Sequence, residues 1–243
     1  DNRGGNLKYD RMLKKVFISG GFLLLSIVAY CNPTFDTLTN SDVLYNKTYS
    51  DSKFVYNLLG DDQLGYNVFE KAYDGFIYLK ENSKIEKNIL TIIDYELSSS
   101  KKRLWVIDLD STKILFNELV AHGKNSGEEF ARKFSNIRNS NMSSIGFFTT
   151  ADTYFGKHGL SLHIDGIEEG INDNARERAI VIHSANYVST EFIKKYGRLG
   201  RSFGCPALPL NSSPLIINTI KDKSCIFING NSNDYRALQS YNL

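Results

Sequence analysis

The chain has 243 residues, a net charge of +2, 42% hydrophobic and 23% charged residues. That length fits one large domain or one domain with a small appendage, in the proportions of a soluble globular protein. A near-neutral balance without long runs of like charge excludes the basic footprint of a nucleic-acid binder.

Residues 1–11 precede Met12 and read as upstream or vector-derived sequence. Met12 opens MLKKVFISGGFLLLSIVAYCNP, with two lysines, an apolar run from Val16 to Ala29 and then small residues. Residues 12–31 thus have the layout of a secretory signal peptide and fall short of a usual membrane span. An uncleaved anchor helix is the alternative, and Cys31 is a candidate lipid-attachment site despite the bulky Tyr30 before it. Export to the periplasm or cell envelope is expected, with the membrane touched only through this signal or lipid anchor. Residues 32–60, rich in Asn, Thr, Ser and Asp, read as a linker to a domain spanning 61–243.

That domain begins with a helix. Leu64, Val68, Phe69, Ala72, Tyr73, Phe76, Ile77 and Leu79 fall at helical spacing and form a core-facing stripe. Beyond Asn88 the pattern becomes a series of short β-type runs: ILTIIDYE, RLWVIDLD, STKILFNELVAHG, SSIGFFTTA, GLSLHIDG, AIVIHSA and SCIFING. A short helix is expected over SGEEFARKF, and a turn or short helix over NDNARER. The fold class is mainly β, with flanking helices.

Two cysteines lie beyond the signal, Cys205 and Cys225. In an oxidising compartment a disulfide between them is one reading. The setting of Cys205, GRLGRSFGCPALP, supports another. Pro206 disfavours the helical region for Cys205, and Gly204 lets a substrate approach the backbone closely. Arg198 and Arg201 could bias the thiol toward thiolate, and the Gly204 and Cys205 amides could face a developing oxyanion. A cysteine nucleophile needs a base, and all four histidines, His122, His158, His163 and His183, precede Cys205. That order excludes papain-like chemistry. His158 lies at a caspase-like separation without the local signature, whereas His183 ends the strand AIVIH only 22 residues before the cysteine. HGLSLHID has a spacing like that of zinc peptidases, but only His183 follows it, so a zinc ligand set is incomplete and no metal is expected. Cys225, on an apolar strand, reads as a buried hydrophobe.

VIHSANYVS and GRSFGCPALP resemble the catalytic segment of murein L,D-transpeptidases, the YkuD-type domain. KRLWVIDLD, LVAHGKNSG, FSN, SSIGFF, YFGKHGLSL and NDNARERAIVIH extend the resemblance to a divergent branch of that family, over roughly residues 103–228. The resemblance implies a β-rich catalytic domain without a cofactor. It makes Cys205 the nucleophile and His183 the base, with the Ser184 backbone carbonyl orienting the imidazole and Gly204 beside the thiol. It places His122, Tyr154 and His158 along the substrate groove. The implied substrates are peptidoglycan stem peptides, acylated at the third residue with loss of D-alanine and joined by a 3→3 cross-link, or hydrolysed. Two features depart from the family pattern. Phe203 stands where a motif histidine is common, and Pro206-Ala207-Leu208 replaces the Asn or Arg usual after the cysteine. Arg201 or Arg198 is then the candidate for gripping a substrate carboxylate. A non-catalytic envelope protein retaining the fold is the alternative.

Overall fold

The computed structural model describes residues 51–231. The expected signal peptide, Cys31 and most of the expected linker lie outside the described residues. The end of that linker is a helix. α1 (Ser52–Leu59) is capped by the Asp51 carboxylate on the Lys53 and Phe54 amides and closed by Gly60 in the left-handed region. It is ordered because Val55 is buried and the Tyr56 hydroxyl donates to Leu64 O at 2.6 Å. A polar composition had concealed this one apolar stripe.

α2 (Tyr66–Glu81) buries Phe69, Ala72, Tyr73, Phe76 and Leu79, the expected stripe, against one face of the sheet. Each large side chain so buried stabilises the fold by about 1.5–3 kcal/mol relative to exposure. Gly75 permits the close approach, since a Cβ there would lie 2.1 Å from the Phe147 ring.

Eight strands follow: β1 (Ile89–Asp94), β2 (Leu104–Asp108), β3 (Lys113–Glu118), β4 (Gly146–Gly156), β5 (Gly159–Gly166), β6 (Val181–Ser184), β7 (Ala207–Leu208) and β8 (Cys225–Asn229). They form one sheet in the order β3-β2-β1-β8-β4-β5-β6-β7. Just beyond β3, Ala121 exchanges backbone hydrogen bonds with Ala207 of β7 at 2.9 and 3.2 Å. The two edges thereby meet, and the sheet is nearly closed into a barrel, which removes unpaired strand edges. Alternation along the strands divides the core. Ile93, Leu104, Val106, Phe148, Ile182 and Leu208 fill the inside, whereas Ile92, Trp105, Ile107, Phe147 and Phe227 face α2. Strands buried on both faces explain the unbroken apolar runs of the sequence.

The seven expected strands are all present; β7, only two residues long, was hidden inside the cysteine motif. Besides α1, two further helices were not foreseen, α3 (Thr190–Tyr196) and α4 (Ser213–Ile220). The helix expected over SGEEFARKF is a loop instead. Its backbone bonds do not follow a helical ladder: Ser99 N, far along the chain, donates to Glu129 O, and both Arg132 N and Lys133 N fold back onto Ser126 O. NDNARER is a run of turns, in which Ile180 N donates to Ala175 O.

Candidate active site

β6 and β7 run parallel, pairing His183 with Ala207 and Ser184 with Leu208. This register sets the loop carrying Cys205 beside the start of β6. The Val181 amide donates to the Cys205 sulfur at 3.4 Å, and the thiol faces Ala179 O at 3.6 Å. Cys205 is partly buried and free, and so is the fully buried Cys225, which packs in the α2-side core. The sulfur is therefore not in a bridge.

Gly204 has φ 130°, and a Cβ on it would sit 2.8 Å from Met142 O. Only glycine meets both conditions without strain. Its carbonyl accepts from Ser143 Oγ at 3.2 Å, and its N–H donates to Ser202 Oγ at 3.0 Å. Ser202 Oγ in turn donates to Cys205 O at 2.6 Å. The expectation that the Gly204 amide faces an oxyanion is corrected by this geometry: Ser202 takes that proton to brace the loop.

His183 is 4% exposed. Its Nδ1 lies 2.9 Å from the Ser184 carbonyl oxygen. A carbonyl only accepts, so Nδ1 carries the proton and Nε2 keeps its lone pair. Nε2 has no hydrogen-bond partner among the described residues. Burial pulls this imidazole below its usual 6.5, opposed by the Ser184 bond and helped by His158 and Lys157. Burial also raises the Cys205 thiol, opposed by the Val181 amide, Arg178, its own amide and Lys157. Burial thus works against the charged forms of both groups, while Arg178 and Lys157 favour the thiolate.

Above β6 lies the tip of the β4–β5 hairpin, a two-residue turn of Lys157 and His158 flanked by paired Gly156 and Gly159. His158 is exposed and its ring stacks on His183, with centroids 4.3 Å apart. The hairpin is fastened there by Ser184 Oγ, which donates to His158 O at 2.8 Å. A second imidazole thus reaches the site from the hairpin, while Phe203, 69% exposed, turns its ring to the Lys124 ammonium. Tyr154, on the same hairpin, stacks on His163 at 4.6 Å.

Three expected groove residues are placed elsewhere. His122 is fully buried: Arg103 Nη2 donates to its Nδ1 at 2.8 Å and its Nε2–H donates to Gly127 O at 3.2 Å. Burial, with Arg103 beside it, lowers its pKa to about 4. Arg198 and Arg201 both bind Glu128, at 2.9 and 2.7 Å, and Arg201 also donates to the Lys124 and Gly127 carbonyls. They staple the SGEEFARKF loop and are not free to grip a substrate carboxylate. The cations acting on the sulfur are Arg178 and, more weakly, Lys157, both of which the sequence reading passed over. Nothing in NDNARER separates Arg178 from Arg176, whose guanidinium makes a bidentate pair with Asp165. Among the described residues no group of three or more His, Cys, Asp or Glu side chains is arranged to hold a metal.

A free thiol on the loop entering β7 and a singly anchored histidine on β6 lie on neighbouring segments of a nearly closed sheet. Residues 61–229, well over half of the chain, match the model of the L,D-transpeptidase catalytic domain, and the protein belongs to that family. Among solved structures, it is similar to the L,D-transpeptidase from Mycobacterium smegmatis at 13% identity and a TM-score of 0.36, with 59% of each chain covered. An L,D-transpeptidase from Stackebrandtia nassauensis matches at 12% identity and a TM-score of 0.36 over 70% of this chain and 68% of that one. The helical cell shape determining protein Pgp2 from Campylobacter jejuni matches at 14% and 0.39, over 67% of this chain and 55% of that one. The chain thus spans about three fifths of the length of the Mycobacterium protein. A comparison with curated proteins finds no match.

Proposed function

We propose that this protein is a cysteine-dependent peptidoglycan L,D-transpeptidase acting outside the cytoplasm on stem tetrapeptides. Cys205 Sγ attacks the carbonyl carbon of the third residue while its proton passes to His183 Nε2. The imidazolium then protonates the departing amine of the terminal D-alanine, leaving a thioester on Cys205. A side-chain amine of a neighbouring stem takes the acyl group to give a 3→3 cross-link and regenerates the thiol. Water in its place makes the enzyme an L,D-carboxypeptidase. His158, stacked on the base, and Tyr154 on the same hairpin are the groups we assign to contact the stem peptide.

The observation that carries this reading is the state of His183. Its Nδ1 is fixed on Ser184 O and its Nε2 is unfilled, one strand away from a free cysteine. Incubation with a stem tetrapeptide or a carbapenem followed by intact mass measurement tests it. An adduct on Cys205, absent from Cys205→Ser, is expected, and an added amine then separates transfer from hydrolysis. An unmodified native chain would favour the non-catalytic envelope protein.

A further inference from the structure

The segment Arg178–Val181 wraps the cysteine sulfur. Ala179, in the left-handed region at φ 55°, turns its carbonyl toward the thiol, and the Val181 amide points at it from the other side. Arg178 begins this wrap. Its guanidinium donates to Ser135 O and Ser144 Oγ through Nη1, and to Ser140 Oγ and Met142 O through Nη2, at 3.2 and 2.8 Å. Every one of these partners is neutral, so the charge is not cancelled by any contacting carboxylate. Its Nε is buried with no hydrogen-bond partner. Met142 O is the atom against which Gly204 packs, and the adjacent Ser143 donates to Gly204 O. Arg178 therefore reaches the nucleophile by two routes, through the 135–144 loop onto Gly204 and directly as an uncancelled positive charge. Cys205 lacks a cationic residue immediately after it in the chain, and Arg198 and Arg201 are held by Glu128.

We propose that Arg178 is a positioning residue of this site, whose charge, anchored on the 135–144 loop that packs against Gly204, stabilises the Cys205 sulfur as its proton moves to His183. The inference rests on Cys205 being the nucleophile. Arg176, two residues earlier, has its charge matched by Asp165 instead. A nearby opposite charge favours the thiolate by lowering the titration of the sulfur.

The test is the pH dependence of Cys205 alkylation by iodoacetamide, read by peptide mass mapping so that Cys31 and buried Cys225 are counted apart. Arg178→Gln is expected to slow alkylation at neutral pH about tenfold and to move the profile about one pH unit alkaline. Arg178→Lys, which keeps the charge and loses the fork, should stay within about threefold of the wild type. The double variant Ser140→Ala/Ser144→Ala removes two loop anchors and keeps the charge, and its profile should superimpose on the wild type. A wild-type profile for Arg178→Gln, or a tenfold loss in the serine double variant, overturns the proposal and leaves Arg178 as a loop staple only. If Arg178→Gln does not fold, the lysine and serine variants decide it: the proposal falls if lysine loses tenfold or the serines shift the profile. Failure of the wild type to acylate with a stem tetrapeptide would sink the proposed function instead, and leaves these titrations readable.

Discussion

Two histidines, two environments

His122, just beyond the Ala121 bridge, and His183, near the end of β6, have opposite fates. His122 has both ring nitrogens filled, by Arg103 and Gly127 O, and is sealed. His183 has one nitrogen filled, by the carbonyl of its own neighbour, and the other left open beneath an exposed hairpin. A saturated imidazole is a structural part, because any proton it gains breaks a bond it already makes. An imidazole anchored through Nδ1 alone is a base in waiting.

The largest effect should separate these two. His183→Ala is expected to cut acylation of Cys205 by about 10²–10⁴-fold, the usual contribution of a positioned general base. Cys205→Ser should form no thioester. His122→Asn, which keeps an acceptor for Arg103, should acylate at close to the wild-type rate. Intact mass kinetics with a carbapenem give all three, and equal losses at both histidines would erase the contrast. The acid limb of the wild-type rate should lie below pH 6.5, since burial holds His183 under that value and the base must be neutral to act.

Stability against pH gives the next effect. The folded His122 titrates near 4, and the unfolded side chain at its ordinary 6.5. The unfolded chain therefore binds the proton more readily, so stability is complete above about 6.5 and is lost as pH falls toward 4. That gap corresponds to about 3 kcal/mol. Urea unfolding across the window should show this loss in the wild type and a smaller one in His122→Asn. His183, also depressed, contributes in the same direction, so the slope should shrink without vanishing.

The sequence made the strands legible because most are buried on both faces, and a run such as ILTIID leaves little else to form. Cys205, His183 and the Ser184 carbonyl were legible from the motif, which fixes local backbone. What was not legible depended on partners far along the chain. SGEEFARKF has helical spacing, yet its carbonyls and Glu128 are claimed by Ser99, Arg198 and Arg201, 30 to 73 residues away. LVAHG and AIVIH look alike as strand ends, and the Arg103 guanidinium, from just before β2, together with Gly127 O seals the first. Arg178 was invisible for the same reason, since its role lies in the loop it grips.

A smaller effect probes the backbone beneath the thiol. Gly204→Ala must place a Cβ 2.8 Å from Met142 O at a φ of 130°. Backbone strain of this kind costs about 1–3 kcal/mol. A fall in thermal midpoint together with slower acylation is expected, as Ser143 and Ser202 lose their grip on the loop. An unchanged midpoint would mean the loop relaxes freely, and the corresponding tightness around Cys205 would be lost as an argument.

The smallest effect belongs to the arginine that the motif made conspicuous. Arg198 reaches Glu128 at 2.9 Å, but Glu128 is 70% exposed, so water screens the pair. Exposed ion pairs contribute about 0–1 kcal/mol. Arg198→Ala should lower stability by no more than that and leave the Cys205 alkylation profile where it was, because its charge is already matched by a carboxylate. Arg178→Gln, removing an unmatched charge, should move that same profile. If Arg198→Ala moved it instead, proximity in sequence to the cysteine would outweigh the pairing seen in space, and the contrast between matched and unmatched cations would fail.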